Sequence, residues 1–291
     1  MTVAAVLDGG LSTALEQRGA DLGDPLWTAR VLAEEPERIV QAHRDFFQAG
    51  AQLATTSTYQ ASVPGFVAAG MTEQAARGLI LRSVALAKEA RDESGGSSAG
   101  LRVAASVGPY GAVLADGSEY RGRYGVTAST LRDFHAPRLE LLASAEPDLL
   151  AVETIPDADE AEVLVSLLDE LRVPAWFTYS VRDGETCAGQ PLAEAYAVLA
   201  GSTSLVAAGV NCSAPADILG ALGAAASATR LPGVAYPNRG GTWDAASKTW
   251  SQAAAIDLHL VDGWVAAGAA YVGGCCGIGP DDLAAVARHL T

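Results

Sequence analysis

The segment AAYVGGCCGIGP, residues 269–280, is the most informative in the chain. In it a short apolar run and two glycines are followed by two adjacent cysteines, Cys275 and Cys276. A third cysteine, Cys212, ends an earlier apolar run, SLVAAGVNC, residues 204–212. Three cysteine thiolates can hold one zinc ion and leave its fourth tetrahedral position open for a substrate. The alternative is a chance group of ordinary cysteines, since free cysteine often behaves as a small buried hydrophobe. The positions of the three residues in the fold distinguish the two interpretations.

Outward from this segment, the chain alternates short apolar runs with helical stretches rich in Ala and Leu. The predicted strands are residues 3–7, 51–55, 102–106, 149–153, 175–179, 205–211, 234–236 and 270–273. The predicted helices are residues 11–17, 37–49, 73–92, 127–143, 159–171, 192–199, 216–224, 253–267 and 280–289. The strand runs are apolar throughout, which is typical of parallel strands covered on both faces. Eight βα units and one extra helix predict a single-domain (β/α)8 TIM barrel over residues 1–291. A doubly wound open sheet is the alternative, but no GxGxxG motif follows the first strand.

Active-site residues of such barrels lie at the carboxyl ends of the strands and in the loops that follow. The polar and unusual residues of this chain stand at those positions: Asp8 and Gly9 after strand one, Thr55 and Tyr59 after strand two, Glu153 after strand four, Cys212 after strand six, Asn238 after strand seven, and Cys275 and Cys276 after strand eight. Strands six and eight are one strand apart, roughly 10 Å between axes at ~4.8 Å per strand. Loops can close that gap, so the placement favours a zinc site over unrelated cysteines.

Composition excludes several other classes of protein. The net charge of −15 argues against a nucleic-acid partner, since binding to phosphates requires a basic face. No apolar run approaches the roughly 20 residues of a membrane-spanning helix, and the N-terminus lacks the features of a secretory signal. We therefore expect a cytoplasmic protein without a membrane partner. Four cysteines in 291 residues do not form a disulfide framework, and Cys187, alone in its loop, is expected to take no part in the site.

Several segments together resemble the homocysteine S-methyltransferase family, most closely its S-methylmethionine-using branch. These segments are DGGLSTALEQRG (8–19), GAQLATTSTYQAS (50–62), SVGPYGAVLADGSEYRG (106–122), VETIP (152–156), GVNCSAP (209–215), YPNRG (236–240) and GGCCGIGP (273–280). The resemblance runs essentially from end to end, and its most specific feature is the combination of GVNC with a terminal GGCC. It implies a (β/α)8 barrel that binds zinc through Cys212, Cys275 and Cys276 and methylates L-homocysteine to methionine.

The resemblance also implies which residues contact homocysteine. Glu153 stands where the family places an acid near the homocysteine ammonium. This agrees with its position, because a carboxylate at a buried strand end requires a partner. The other candidate substrate-binding residues are Asp8, Gly9, Thr55, Tyr59 and Asn238.

Some of these residues have structural alternatives. Asp8 could cap the helix that begins near Leu11, and Thr55 could reflect only strand propensity. Tyr59, which the resemblance makes a candidate temporary fourth zinc ligand, could equally be core packing. Three further aromatic residues could offer their faces to a cationic methyl donor or simply pack: Tyr110, Trp243 and Trp250.

The chemistry of methyl transfer explains why thiolates and a metal are needed. A free thiol titrates near pH ~8.5, so only a few per cent is thiolate at neutral pH, whereas zinc binds the deprotonated form. Transfer from a sulfonium then depends on positioning rather than on acid–base catalysis. In agreement, the four histidines form no HExxH or triad spacing, and we interpret each as an ordinary helix or surface residue: His43, His135, His259 and His289.

The expected methyl donor is S-methylmethionine, with S-adenosylmethionine as a weaker substitute. Folate-dependent relatives carry further modules and betaine-using relatives carry a C-terminal extension, and we expect neither here. No phosphate- or adenine-binding signature is present. However, GIGP (277–280) and RGGTWD (239–244) depart from the S-methylmethionine-using branch, and GIGP is similar to the betaine-using branch. A betaine-dependent enzyme is therefore an alternative, as are a non-catalytic zinc-binding barrel and a redox protein with a Cys275–Cys276 disulfide.

Overall fold

The computed structural model describes residues 4–21, 28–114, 116–240, 243–244, 249–250 and 256–291. Eight parallel strands form one sheet: β1 Ala5–Val6, β2 Leu53–Thr55, β3 Arg102–Val107, β4 Leu149–Ile155, β5 Ala175–Tyr179, β6 Leu205–Asn211, β7 Gly233–Tyr236 and β8 Ala269–Val272. Each strand pairs with its neighbour in chain order, and β8 pairs with β1. A parallel bridge between Leu7 and Leu53 joins β1 to β2. The sheet therefore closes, which confirms the (β/α)8 barrel, and the open-sheet alternative is wrong.

Helices surround the barrel. In the described ranges they are α1 Leu11–Gln17, α2 Thr28–Glu34, α3 Pro36–Gln48, α4 Val63–Ala68, α5 Glu73–Glu93, α6 Tyr110–Leu114, α7 Ala128–Ser144, α8 Ala158–Leu171, α9 Leu192–Ala197, α10 Ile218–Thr229, α11 Leu258–Ala266 and α12 Pro280–Leu290. The sequence did not predict α2, α4 or α6, three short helices that are additional to the regular alternation of one strand with one helix. Residues 3 and 253–255 of the predicted elements lie outside the described ranges. No described helix has the length and apolar character needed to cross a membrane.

Two short antiparallel hairpins were also not predicted. One pairs Val181–Arg182 with Glu185–Thr186 in the loop after β5, and the other pairs Trp243–Asp244 with Thr249–Trp250. Strands of two residues carry no readable alternation of apolar and polar side chains. Both hairpins belong to loops that follow barrel strands, which is where this fold accommodates insertions.

Side chains fill the interior of the barrel. Leu7, Leu53, Leu149 and Trp176 are buried there, and each comes from or directly follows a different strand. The indole of Trp176 donates a hydrogen bond from Nε1 to Tyr236 Oη at 3.0 Å. A packed interior leaves the carboxyl-end rim as the place for a site.

Gly209 marks the closest approach of two barrel strands and supports a stability prediction. A methyl group on Gly209 in β6 would lie 1.9 Å from the carbonyl oxygen of Val234 in β7. Gly209→Ala should therefore push the strands apart and lower the free energy of unfolding by about 1–3 kcal/mol or more. Gly220→Ala in α10, where no atom lies within 4 Å, is the matched control. That substitution should be neutral or stabilising by up to ~1 kcal/mol. Urea unfolding of both variants tests the pair, and equal stabilities would contradict the close β6–β7 contact.

Candidate metal centre and active site

The three predicted cysteines converge at the carboxyl end of the barrel. Cys212 follows β6, Cys275 and Cys276 follow β8, and their three Sγ atoms all lie within 4.8 Å of one another. The Sγ atoms of Cys212 and Cys276 are 3.8 Å apart. Two sulfurs bound to one tetrahedral zinc at about 2.3 Å would be separated by about 3.8 Å. The spacing therefore fits a metal, and Cys187 is not part of the cluster.

Backbone hydrogen bonds fix the loop that carries the cysteine pair. Gly274 donates its N–H to the carbonyl oxygen of Asp8 at 3.0 Å, and Cys275 donates to the carbonyl oxygen of Pro237 at 2.8 Å. The loop is thus held between the loops that follow β1 and β7. This arrangement explains why the DGG and GGCC segments, although distant in sequence, act as one structural unit.

Glycine is required where these loops touch. A methyl group on Gly10 would lie 2.6 Å from the carbonyl oxygen of Cys275, and one on Gly9 would lie 2.5 Å from that of Ile278. Because both obstacles are backbone atoms, neither position accommodates a side chain without moving the loop. The structure thus gives Gly9 a packing role, while its contact with the substrate stays a prediction.

The three thiols cannot all ionise readily by themselves. Hydrogen bonds from Cys212 and Cys275 lower the pKa of Cys276. The pKa of Cys275 is raised instead, mainly by its hydrogen bond with Cys212. One thiolate is favoured, and its negative charge opposes a second. A metal cation removes this conflict because it binds thiolates and deprotonates them. The donor set is therefore chemically suited to a metal.

Glu153 is a buried carboxylate without an ion-pair partner among the described residues, although the more distant charge of Arg138 favours its ionised form. Its side chain accepts hydrogen bonds from Ser106 Oγ and from Tyr236 Oη, the latter at 3.0 Å, and only 8% of the residue is exposed. Two neutral hydroxyls do not balance a charge, and burial raises the pKa of Glu153 to about 7. The carboxylate is thus poised to pair with a cation brought by a ligand. Strand β4 continues past it to Ile155, two residues beyond the predicted end.

Asp8 is held by Thr55. The carboxylate accepts a hydrogen bond from the Thr55 backbone N–H at 2.7 Å and another from Thr55 Oγ1 at 3.1 Å. Burial and the nearby negative charge of Glu153 raise the pKa of Asp8. The alternative that Asp8 caps α1 is wrong, since the residue before that helix is Gly10 and no side chain caps it. Asp8 and Glu153 together make this part of the site strongly receptive to a cation.

Tyr59 and Asn238 each carry a buried polar atom without a hydrogen-bond partner in the described structure, namely Tyr59 Oη and Asn238 Oδ1. Burial, followed by the negative charge at Cys212, raises the pKa of Tyr59, so its phenol is neutral. An unsatisfied buried polar atom costs about 1–3 kcal/mol. Both atoms are therefore available to a ligand, as expected for substrate-binding residues.

Asn211 links the metal centre to the acidic part of the site, which the sequence did not reveal. Its Oδ1 accepts from the Thr154 backbone N–H at 2.7 Å, and its Nδ2 donates to Thr154 Oγ1 at 2.8 Å. Thr154 follows Glu153, and Asn211 precedes Cys212. Both Thr154 and Cys212 have positive φ, +61° and +49°, a conformation that costs non-glycine residues about 1–3 kcal/mol each. The bidentate contact holds this strained backbone in place.

Arg138, on α7, is a second positioning residue that was not predicted. It is 4% exposed, and its guanidinium donates to the carbonyl oxygens of Gly108, Thr58 and Tyr59 at 2.8, 2.7 and 2.6 Å. One side chain thus fixes the loops after β2 and β3. Arginine in a helix ordinarily indicates a surface position, so the sequence gave no signal for this role.

The remaining predicted residues lie away from the cysteines or outside the described side chains. The Tyr110 ring packs edge-on against Tyr124 and Phe134, with centroids 5.4 and 5.1 Å apart, so it serves as packing. Trp243 and Trp250 lie outside the residues whose side chains are described. The four histidines are all helical, and none belongs to the cysteine cluster: His43 on α3, His135 on α7, His259 on α11 and His289 on α12.

Comparisons with known proteins agree with this geometry. The homocysteine S-methyltransferase family profile matches residues 5–290. The chain is 47% identical over 289 residues to the homocysteine S-methyltransferase of Escherichia coli K12, covering 97% of this chain and 93% of that protein. It is 42% identical over 305 residues to homocysteine S-methyltransferase 1 of Zea mays, covering 98% and 94%.

Among solved structures, the metallated form of the homocysteine methyltransferase MmuM from Escherichia coli matches with a TM-score of 0.87 at 43% identity, covering 98% of this chain and 96% of that one. The family match and the curated relatives extend over nearly the whole chain, and they identify an enzyme rather than a non-catalytic binding or redox protein. The chain is therefore a methyltransferase that belongs to the homocysteine S-methyltransferase family.

Proposed function

We propose that this enzyme transfers a methyl group from S-methylmethionine to the thiolate of L-homocysteine, using zinc held by Cys212, Cys275 and Cys276. The observation that supports this proposal most strongly is the spacing of the three sulfur atoms, 3.8 Å for the pair Cys212–Cys276, beside two buried carboxylates. Zinc held there supplies a cation that keeps the substrate sulfur ionised at neutral pH.

The chain's own residues then position the two substrates. Glu153 pairs with the ammonium of homocysteine, Asp8 adds negative charge beside it, and Thr55 keeps Asp8 in place. Asn238 and the phenol of Tyr59 offer their unpartnered polar atoms to the same substrate. These contacts fix the homocysteine sulfur relative to the methyl donor, and such alignment is the main source of rate in a transfer that needs no acid or base.

The reaction balances without a further reactant. The thiolate sulfur forms a new bond to the methyl carbon, the bond between that carbon and the sulfonium breaks, and its electron pair stays on the departing sulfur. With S-methylmethionine as donor, both products are methionine. A sulfonium suits the site because thiolates and buried carboxylates attract a cation.

Competition between methyl donors tests this assignment. Metal-loaded enzyme and homocysteine are incubated with equal concentrations of S-methylmethionine, S-adenosylmethionine and betaine, each with a distinct isotopic label in its methyl group. We expect labelled methionine chiefly from S-methylmethionine, with a smaller share from S-adenosylmethionine. If the label came mainly from betaine, S-methylmethionine would be wrong as the donor, while the proposed role of the metal centre would be unaffected.

A further inference from the structure

A short turn in the loop after β3, Ser118–Tyr120, lies against the metal centre. Tyr120 Oη is 3.5 Å from Cys212 Sγ. The turn is tightly packed, since a methyl group on Gly111 would lie 2.6 Å from the backbone nitrogen of Glu119. Glu119 belongs to this turn, and it lies close enough to Tyr59 for its negative charge to add to the effect of burial in raising the pKa of that phenol.

The Glu119 carboxylate is buried and has no ion-pair partner among the described residues. Only 8% of the residue is exposed, and Oε2 has no hydrogen-bond partner among the described residues. The nearest arginine in sequence, Arg121, instead faces Asp116 at 3.9 Å, and its side chain is 62% exposed. Burying a charge without a partner is costly. Burial raises the pKa of Glu119 and outweighs its own backbone N–H and the more distant charge of Arg121, which favour the ionised carboxylate. Because Oε2 has no partner among the described residues, a ligand is the partner to be considered.

The chemistry of the missing partner is that of a hydrogen-bond donor with positive charge. A sulfonium has no N–H or O–H to donate, whereas an α-ammonium donates three hydrogen bonds. Under the proposed function, both substrates are amino acids, and each brings one ammonium group. Asp8 and Glu153 lie close enough for their charges to interact and serve the first ammonium, which leaves Glu119 for the second.

We propose that Glu119 binds the α-ammonium group of the methyl donor and thereby selects donors that are amino acids. This inference rests on the proposed function, and it assigns the donor a subsite separate from that of homocysteine. The donor subsite would adjoin the metal centre, because Tyr120, the next residue along the chain, places its Oη 3.5 Å from Cys212 Sγ.

The test compares S-methylmethionine with 4-(dimethylsulfonio)butanoate, which is the same molecule with hydrogen in place of the ammonium. Glu119→Gln should lower kcat/KM for S-methylmethionine by roughly ten- to a hundredfold, the range for a lost charge-assisted hydrogen bond. The value for the analogue and the KM for homocysteine should not change. Equilibrium dialysis of S-methylmethionine against the metal-loaded protein should show a similar loss of affinity.

Two controls separate binding from a structural role. Asp116→Asn removes the same charge from the same loop, at an exposed residue whose amide oxygen can still accept from the Ser118 N–H. This variant should behave like the wild type with both donors. Glu119→Gln should unfold at the same temperature as the wild type or higher, because it removes a buried charge that has no ion-pair partner.

An equal loss with both donors, or a raised KM for homocysteine, would overturn the inference, because either result means that Glu119 only shapes the loop. Failure of the proposed function would instead appear in the wild type, as the absence of turnover with either sulfonium.

Discussion

Serine in place of any one of the three clustered cysteines should remove most of the metal and nearly all of the activity. Cys212→Ser, Cys275→Ser and Cys276→Ser each take one thiolate from a set whose sulfurs lie within 4.8 Å of one another. Loss of an outer-sphere partner already costs about 10–100-fold in metal affinity or activity. Loss of a ligand should therefore lower methyl transfer by at least about a hundredfold. Metal analysis and a methionine-formation assay on the purified variants measure both effects.

Cys187→Ser is the matched control, because Cys187 is a free cysteine of the same barrel that stands outside the cluster. It should retain the metal content and the activity of the wild type. If the Cys212, Cys275 or Cys276 variant also retained the metal and the activity, that cysteine would not be a metal ligand.

Glu153→Gln should weaken homocysteine binding by roughly ten- to a hundredfold, the value of a charge-assisted hydrogen bond in a buried site. Metal content should be unchanged, since Glu153 is not one of the three clustered residues that would hold the metal. Glutamine keeps the size of the side chain, and its one amide oxygen can still accept from either Ser106 or Tyr236, which donate to different oxygens of the Glu153 carboxylate. Glu140→Gln, at an exposed position on α7, is the control for loss of a glutamate charge. An unchanged affinity for homocysteine would leave Glu153 with only a structural role.

The pH dependence of kcat/KM for homocysteine is a second test of the role of Glu153. Burial raises the pKa of Glu153 from 4.5 to about 7, so below pH 7 the free enzyme holds it protonated and unable to pair with an ammonium. In the wild type, kcat/KM for homocysteine should therefore fall more steeply below pH 7 than in Glu153→Gln. Identical profiles would contradict the role.

Stability should change with pH in the opposite direction. Between pH 4.5 and about 7, the folded protein holds a proton on Glu153 that the unfolded chain has lost. The contribution of Glu153 to the free energy of unfolding therefore decreases as the pH rises through this window. Glu153→Gln should remove that decrease, which urea unfolding at several pH values measures.

The convergence of the cysteines could be predicted from the sequence because it follows from strand order. Cys212 directly follows β6 and the Cys275–Cys276 pair follows β8. Any closed barrel of eight parallel strands brings those strand ends to one rim. The same logic placed Glu153 and Asp8 near the site. In each case the residue lies at a strand end, so periodicity and position were sufficient.

Contacts made by loops and by interior side chains could not be predicted in this way. Tyr120 reaches Cys212 from a turn many residues after β3, and the path of such a loop is not contained in its periodicity. Tyr236 reaches Glu153 across the barrel interior from β7. Arg138 is buried although its residue type indicates a surface position. These partners depend on three-dimensional packing rather than on local pattern.

Backbone strain was equally hidden in the sequence. Thr154 and Cys212 both take positive φ, yet neither residue type signals that conformation as glycine or asparagine would. Only the two hydrogen bonds between Thr154 and Asn211, one donated by each residue, reveal how the conformation of Thr154 is held. The strained residues adjoin Glu153 and include a cysteine of the cluster, which agrees with strain being concentrated at functional sites.

Zinc-edge X-ray absorption, recorded on metal-loaded enzyme with and without L-homocysteine, would show whether three cysteines hold the metal and whether the substrate sulfur binds to it. We expect about three sulfur neighbours at about 2.3 Å in the free enzyme and about four after homocysteine is added. Methionine, whose sulfur carries no ionisable proton, should leave the number at three. A metal surrounded mainly by nitrogen and oxygen, or a sulfur number that homocysteine does not change, would contradict the account.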